Sequence, residues 1–212
     1  MPRQHTLLPD DLEEEGPIRG EDRYSVIYAD PPWTYKDKAN AGKRGAVHQY
    51  PVMELDDIKA LPVGDIAADN SALFLWVTAP LLPTCLEVVI AWGFKYKTIG
   101  FTWVKTYPES EKYFMGMGNY TRSNAEFCLL AFKGEVLRVL SKSVRSLVVT
   151  PLGRHSEKPS VVRERIVELF GDIPRIELFA RQRVAGWDAW GNHLQHSDLK
   201  LVGNRFITSR QP

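Results

Sequence analysis

The sequence predicts an α/β protein with a mostly parallel central sheet and helices on both faces. Short apolar segments rich in β-branched residues alternate with segments of helical apolar spacing, which is the pattern of buried parallel strands joined by helices. The chain has 212 residues, and at about 150 residues per domain this corresponds to roughly one domain. Hydrophobic residues make up 44% and charged residues 25% of the chain. This composition is typical of folded globular proteins and excludes disorder over the whole chain.

The individual elements follow from local pattern. The first strand is predicted at residues 24–29, where the apolar run YSVIYA stops at a double proline. Apolar residues at helical spacing predict a helix over residues 81–92 that ends at Gly93. Another helix begins at Pro159, which suits a first helical turn, and ends at Gly171. Further strands are predicted at residues 72–78, 98–105, 126–132, 147–150 and 175–180. Ligands of such sheets bind beyond the carboxyl ends of strands, so we expect functional residues there.

The ends of the chain are predicted to lie outside the domain. Residues 1–22 are polar and acidic and are expected to form a flexible tail, while residues 23–195 form the single domain and residues 196–212 a C-terminal extension. The start lacks the basic and apolar parts of a signal peptide, and no apolar run reaches the about 20 residues of a membrane helix. We therefore expect a soluble, cytoplasmic protein without a membrane partner.

The cysteines and histidines of the chain argue against a disulfide-rich scaffold and against a metal site. The chain contains two cysteines, Cys85 and Cys128, which excludes a small disulfide scaffold. Its five histidines show no metal-ligand spacing, so no metal is predicted. The net charge of +1 neither favours nor excludes a nucleic-acid partner.

Two long connections, residues 34–50 and 106–124, combine basic and aromatic side chains. The first contains Lys36 and the second contains Arg122. Cations contact phosphates and aromatic rings stack on bases, so this mixture suits a nucleic acid. Ordinary solvated loops explain the composition equally well.

The segment Asp30-Pro31-Pro32-Trp33 directly follows the first strand and carries a specific chemistry. An amino group conjugated to a ring is a poor nucleophile, and a carboxylate and a backbone carbonyl that accept its two N–H bonds favour a more pyramidal nitrogen. Proline holds the carbonyls in one orientation, and tryptophan offers a flat wall for a ring. A methyl sulfonium brings its own activation, which leaves positioning and electrostatics to the protein. A proline turn with a core tryptophan is the structural alternative.

This segment resembles the catalytic motif of the MT-A70 family, the adenine N6-methyltransferases that use S-adenosylmethionine, and the short bacterial and phage-type members look most similar. The resemblance implies a cytoplasmic protein of a bacterial or phage-infected cell. It also implies a Rossmann-like methyltransferase core in permuted order, with the catalytic strand before the cofactor strand, which accounts for the absence of a Gly-x-Gly-x-x-Gly turn. The other matching segments are FLWVT at 74–78, WVK at 103–105, HSEKP at 155–159, IELFAR at 176–181, GW at 186–187 and WGN at 190–192.

The resemblance also implies roles for individual residues. Asp30 and the Pro31 carbonyl would hold the target amino group, with Asp30 also near the amine of the cofactor, and Trp33 and Tyr50 would flank the adenine. Lys158 would pair with the cofactor carboxylate. The implied catalytic residues are Asp30, Pro31, Pro32 and Trp33, and the expected substrate-binding residues are Lys36, Tyr50, Arg122 and Glu126. The implied cofactor-binding residues are Asp30, His155, Ser156, Lys158, Glu177, Phe179, Arg181 and Asn192.

Several of these residues also suit a purely structural role. Lys158 also suits a solvated helix start, Glu177 a structural partner in a strand, and Phe179 an ordinary core position. Arg181 also suits a surface cation, and His155 a turn.

The expected function is methyl transfer from S-adenosylmethionine to N6 of adenine in a polynucleotide, with DNA preferred over RNA. The alternatives are an RNA adenine N6-methyltransferase, a catalytically silent cofactor-binding scaffold subunit, and an enzyme that methylates a protein glutamine amide. Asp30 argues against the scaffold, and Asp30 with Trp33 favours a base over an amide. Nucleic acid is the expected partner, and a homodimer or a hetero-partner stays open.

Overall fold

The computed structural model describes residue 18 and residues 23–34, 53–118, 120–153 and 157–209. In this part of the chain the strands are β1 (Tyr24–Ala29), β2 (Ala67–Val77), β3 (Lys95–Thr106), β4 (Ala125–Lys133), β5 (Leu147–Pro151), β6 (Arg175–Leu178), β7 (Asp188–Trp190), β8 (Leu199–Val202) and β9 (Arg205–Thr208). The helices are α1 (Leu55–Ala60), α2 (Val63–Ile66), α3 (Leu82–Ala91) and α4 (Ser160–Phe170), with a 3-10 turn at Ala79–Leu81.

Seven strands form one sheet in the order β5-β3-β4-β2-β1-β6-β7. Neighbouring strands run parallel, except that β4 is antiparallel to both β2 and β3. The predicted mostly parallel α/β sheet is therefore confirmed. Because β4 is reversed, its first residues lie at the edge where β2 and β3 end. The chain continues from β1 to β2 on one side and later returns to β6 on the other, so the end of β1 is a topological switch point, where open α/β sheets bind ligands.

Each face of the sheet is covered by helices and has its own apolar core. On one face, buried side chains such as Ile27 and Leu75 pack with Ile58 of α1 and Val88 of α3. On the other face, which we call the α4 face, α4 contributes Val162, Ile166 and Phe170 to a core with strand residues. The strand residues of the α4 face include Tyr28, Phe74, Trp76, Trp103 and Cys128. Alternate residues of one strand thus supply the two cores, as the period of two requires.

The structure confirms every predicted strand and helix, with differences at their ends. β1 has the predicted bounds, and α4 begins one residue after Pro159 and ends just before Gly171, whose φ is +89°. β6 ends at Leu178, two residues earlier than predicted, because Phe179 adopts a left-handed φ of +62° that no strand continues. Five elements were not predicted, and each has between three and six residues: α1, α2, β7, β8 and β9.

The C-terminal hairpin of β8 and β9 packs against the face opposite α4. Leu199 and Phe206 are buried there, and the Phe206 ring lies edge-on to Trp190 at 5.2 Å between centroids. Of the predicted tail, residues 1–17 and 19–22 lie outside the described residues, while Ile18 packs against the same core. No helix among the described residues is long and apolar enough to cross a membrane.

Candidate active site

Asp30 lies directly after β1, at the switch point of the sheet. Because successive strand residues alternate between faces, Asp30 lies on the same side as Tyr28, towards α4. Its side chain is 23% exposed. Burial raises the pKa of the Asp30 carboxyl above its usual value, while the neighbouring Lys158 cation opposes that rise.

Lys158 stands just before α4 and reaches into the sheet edge. Its Nζ lies 2.6 Å from Asp30 Oδ2 and 3.3 Å from Glu126 Oε2, and its side chain is 7% exposed. Burial alone would lower the pKa of the Lys158 ammonium, but the two carboxylates outweigh it and raise that pKa. Lys158 is therefore a buried, charged centre of the site, and a solvated helix start does not describe it.

Glu126 is the second residue of β4 and supplies the other carboxylate beside Lys158. Its carboxylate pairs with both Lys158 and Lys105, and its side chain is 15% exposed. Burial would raise the pKa of Glu126, but the Lys158 and Lys105 cations together lower it. Lys105 near the end of β3 is a site residue that was not predicted from the sequence. Four side chains thus form a row of alternating charge, Lys105, Glu126, Lys158 and Asp30, which we call the charge row.

Two tryptophans of the α4 face lie beneath the lysines of the charge row. Lys158 Nζ lies 5.7 Å from the ring of Trp76, and Lys105 Nζ lies 4.8 Å from the ring of Trp103. The indole N–H of Trp76 donates to the Tyr28 hydroxyl at 2.7 Å, and that of Trp103 donates to Thr150 Oγ1 at 2.8 Å. Both rings are therefore held in place, and each offers a π face to a cation.

Glu177 lies on β6 beside Tyr28 in the parallel register and faces α4. Arg163 of α4 donates to its carboxylate at 3.2 Å, and both side chains are mostly buried. Burial raises the pKa of Glu177 to about 6 against the opposing charge of Arg163. A structural ion pair with α4 is thus one role of Glu177, and the predicted cofactor contact stays a prediction.

The two prolines and Trp33 form a tight turn after Asp30. The Trp33 N–H donates to the Pro31 carbonyl at 2.8 Å, and the Met53 N–H donates to the Pro32 carbonyl at 3.1 Å. The Trp33 indole N–H donates to the Trp76 carbonyl at 2.9 Å, and Trp33 is 8% exposed. Trp33 therefore anchors the turn in the core, as the structural alternative for this motif predicts. Its predicted contact with adenine stays a prediction.

On the opposite side of the switch point, the residues after β6 and β7 form the other wall. Phe179 is half-buried and lies edge-on to Trp190 at 5.4 Å between centroids. The Ala180 N–H donates to the Trp190 carbonyl at 2.9 Å, so the two turns lie side by side. Arg181 and Asn192 are exposed on these turns.

Several predicted residues lie elsewhere. Arg122 is exposed in the connection between β3 and β4, outside the charge row. Lys36, Tyr50, His155 and Ser156 lie outside the described residues. Within the ranges described, no group of three or more His, Cys, Asp and Glu side chains is placed to hold a metal ion. The absence of a metal stays a prediction.

A cleft of about 280 Å³ opens beside Lys158, between the ends of β3 and β5 and the start of α4. Trp103, Thr150, Lys158 and Ser160 are among its lining residues. The cleft connects the buried Lys158 side chain to the protein surface.

The donor set fits the amino-acid end of S-adenosylmethionine, which carries one ammonium and one carboxylate. Asp30 and Lys158 already form a buried pair of opposite charge at 2.6 Å. Each of them can exchange its partner for the matching charge of a zwitterion, so no charge is left buried alone. The residues present therefore suit this cofactor.

Residues 24–193 match the MT-A70 family. The chain belongs to that family. This membership confirms the predicted family and fold. It identifies a methyltransferase that uses S-adenosylmethionine and acts on N6 of adenine in a nucleic acid.

Relatives come from bacteria and from eukaryotes. The chain is 34% identical over 207 residues to the type II methyltransferase M.MunI of a Mycoplasma species, across 90% of this chain and 86% of that protein. It is 27% identical to the N(6)-adenosine-methyltransferase MT-A70-like protein of Drosophila melanogaster, across 89% of this chain and 29% of that protein. It is also 27% identical to the N(6)-adenine-specific methyltransferase METTL4 of Homo sapiens, across 95% of this chain and 45% of that protein. The chain thus spans less than half of these two eukaryotic relatives.

Proposed function

We propose that this MT-A70 methyltransferase acts on adenine in DNA and that the charge row carries its active site. The observation that supports the site most strongly is the Asp30–Lys158 pair at the switch point, 2.6 Å between Nζ and Oδ2. Two of the relatives support DNA. The relative that matches over 86% of its own length is named a type II methyltransferase, and METTL4 is named adenine-specific.

When bound, S-adenosylmethionine supplies an electrophilic methyl group on a sulfonium sulfur. Lys158 would pair with its carboxylate and Asp30 with its ammonium. Phe179, Arg181 and Asn192, on the turns after β6 and β7, would line the remainder of the cofactor. We also propose His155 and Ser156 as cofactor-binding residues, on the family resemblance alone.

Asp30 also has the central role towards the target base. Its carboxylate would accept one N–H of the adenine amino group, and the second lone pair of the Pro31 carbonyl, beside the one used by the Trp33 N–H, would accept the other. These two acceptors orient the nitrogen lone pair towards the methyl group. The amino nitrogen held by these two acceptors would take the methyl carbon, with the carbon–sulfur electron pair staying on the sulfur, and would then release one proton. Asp30 is the nearest base of the motif to receive that proton.

Nucleic-acid contacts outside the base are assigned to the two long connections. Arg122 is exposed beside the strand that carries Glu126, and Tyr113 and Tyr120 are exposed in the same connection. Cations and exposed aromatic rings suit a strand whose bases are unstacked. Lys36 in the first connection would take the same part, while Tyr50 would flank the adenine together with Trp33. A base in duplex DNA must first be flipped out at a cost of a few kcal/mol, which a single strand avoids.

We further propose one domain over residues 23–195, with residues 1–22 as an acidic tail and 196–212 as a C-terminal extension whose hairpin packs on the domain through Leu199 and Phe206. The cytoplasm of a bacterial or phage-infected cell is the compartment we propose. A homodimer or a second subunit would enlarge the basic surface of a chain whose net charge is +1.

The test uses purified protein, labelled S-adenosylmethionine and three oligonucleotides of matched sequence: single-stranded DNA, duplex DNA and RNA. Nuclease digests are analysed by mass spectrometry for the N6-methylated adenine nucleoside. Wild type and Asp57→Ala, a control at an exposed position of α1, should both label DNA, and Asp30→Ala should not. Label on RNA alone would overturn the DNA proposal. Cofactor binding without label on any strand would favour the silent scaffold.

A further inference from the structure

We propose that Lys105 is a positioning residue for methyl transfer: it neutralises Glu126, so that Lys158 remains available to Asp30 and to the cofactor. This inference rests on the role proposed above for Asp30 and Lys158. It concerns a residue at the far end of the charge row, beyond the groups that meet cofactor or base.

The strand register places Lys105 for this role. Trp103 of β3 is opposite Glu126 of β4, and Lys105 follows two residues later on the same face of the sheet. The Lys105 ammonium therefore reaches the Glu126 carboxylate diagonally across two antiparallel strands, a distance that long side chains can span. The Lys105 side chain is 17% exposed and the Glu126 side chain 15%, so both members of this pair are better shielded from solvent than Asp30, at 23%.

Charge balance explains why a cation is needed at this position. The charge row holds two lysines and two carboxylates and is neutral. Without Lys105, one lysine faces two carboxylates, and the row carries an uncompensated negative charge in a mostly buried place. Glu126 then competes with Asp30 for Lys158, whose Nζ lies within 3.3 Å of both.

Loss of the Lys105 charge would change the ionisation of Asp30. Its pKa is raised by burial, lowered by Lys158 and raised again by Glu126. Removing Lys105 takes away one of the two cations that pair with Glu126, so Lys158 is shared more evenly between Glu126 and Asp30 and the pKa of Asp30 rises further. The charged and titratable groups that face Asp30 from the surrounding elements are Lys158, Glu126, Arg181, Glu177 and Cys128.

The experiment measures S-adenosylmethionine affinity by calorimetry from pH 5 to 9, which needs no nucleic acid and no turnover. The acid limb of kcat/KM is measured alongside on the preferred oligonucleotide. The variants are Lys105→Met, Lys105→Arg, Glu126→Gln and the double variant Lys105→Met/Glu126→Gln. The matched control is Lys97→Met, at an exposed position of the same strand. Thermal unfolding establishes that each variant folds.

In Lys105→Met, the pH below which cofactor affinity falls should move up by about one unit, the size expected for loss of a nearby charge. Lys105→Arg and Lys97→Met should follow wild type. The decisive comparison is between Glu126→Gln and the double variant, which should have coincident acid limbs because Lys105 acts only through the Glu126 charge. This comparison remains valid even if Lys105→Met alone does not fold.

Two results would overturn the role of Lys105: an unshifted limb in folded Lys105→Met, or a limb of the double variant displaced from that of Glu126→Gln. Failure of the proposed function has a different signature. In that case the nucleic-acid assay shows no product with wild type, while the binding comparison still reports on Lys105.

Discussion

Replacing Lys158 by methionine should remove the central charge of the site and preserve its packing. Methionine retains most of the aliphatic stem, so the substitution acts mainly through loss of the ammonium group, whose Nζ lies 5.7 Å from the Trp76 ring. The ammonium contacts Asp30 at 2.6 Å and Glu126 at 3.3 Å, and it is the proposed partner of the cofactor carboxylate. A hydrogen bond to a charged group contributes about 1.5–3 kcal/mol, so affinity for S-adenosylmethionine should fall roughly 10- to 150-fold.

The same substitution should reduce stability in a pH-dependent way. Loss of one partner of a buried ion pair costs about 3–5 kcal/mol when the other charge stays buried. Asp30 has a raised pKa in the folded protein, and without Lys158 that pKa rises further, so the folded state binds a proton more tightly than the unfolded state. The cost is therefore fully present above the folded pKa of Asp30 and diminishes as pH falls through it.

Calorimetric titration with S-adenosylmethionine and urea unfolding at pH 5 and pH 8 check both parts. Lys142→Met, at an exposed position outside the site, is the control and should match wild type. Unchanged cofactor affinity in folded Lys158→Met would refute the assignment of Lys158 to the carboxylate. Equal destabilisation at both pH values would refute the linkage to Asp30.

Two further predictions concern the wall of the site beyond Asp30. Burial raises the pKa of Glu177 from 4.5 to about 6, so its ionisation costs the folded state about 2 kcal/mol at pH 7, a cost that is lost as pH falls through 6. In Glu177→Gln, urea unfolding should lack this gain of stability between pH 7 and pH 4.5, and an unaltered pH dependence would contradict the assignment. Gly191→Ala should lower the melting temperature and weaken cofactor binding, because the added methyl carbon would overlap the Ala180 carbonyl oxygen where the turns after β6 and β7 meet. The control Gly153→Ala, which meets the flexible Glu157 side chain, should have little effect on the melting temperature, and a Gly191→Ala protein as stable as this control would contradict the close packing of those turns.

Local sequence pattern was sufficient for the elements that form the centre of the fold. β1 is a continuous apolar run that ends at two prolines, and α4 carries apolar residues at helical spacing between Pro159 and Gly171. Both patterns are dictated by burial of one strand or one helix face. β7 and the hairpin of β8 and β9 were not predicted, because these strands are three or four residues long and only partly buried. Such short strands are stabilised by their neighbours and not by their own pattern.

The residues of the site likewise divide into those that the sequence predicted and those that it did not. Asp30 was predicted because it belongs to a contiguous motif, and Lys158 through its segment in the family resemblance. Their pairing joins residues 128 positions apart, which no local pattern reports. Lys105 was missed because a lysine near the end of a strand is usually solvated, and its burial depends on Glu126, 21 residues further on. No sequence feature indicated the left-handed backbone conformation of Phe179, because glycine is the residue that ordinarily occupies such a position.

The most direct measurement of the central claim is single-turnover methyl transfer by Asp30→Asn, with cofactor affinity determined on the same preparation. Asparagine preserves the size of the side chain and removes the charge that would accept the amino N–H and the released proton. We predict loss of at least about two orders of magnitude in the single-turnover rate, within the range for a positioned acid–base group. Thermal unfolding establishes that the variant is folded, a necessary control because Asp30→Asn removes one of the two carboxylates that lie within 3.3 Å of Lys158. A near wild-type rate in the folded variant would contradict the assignment of Asp30 as the residue on which methyl transfer depends.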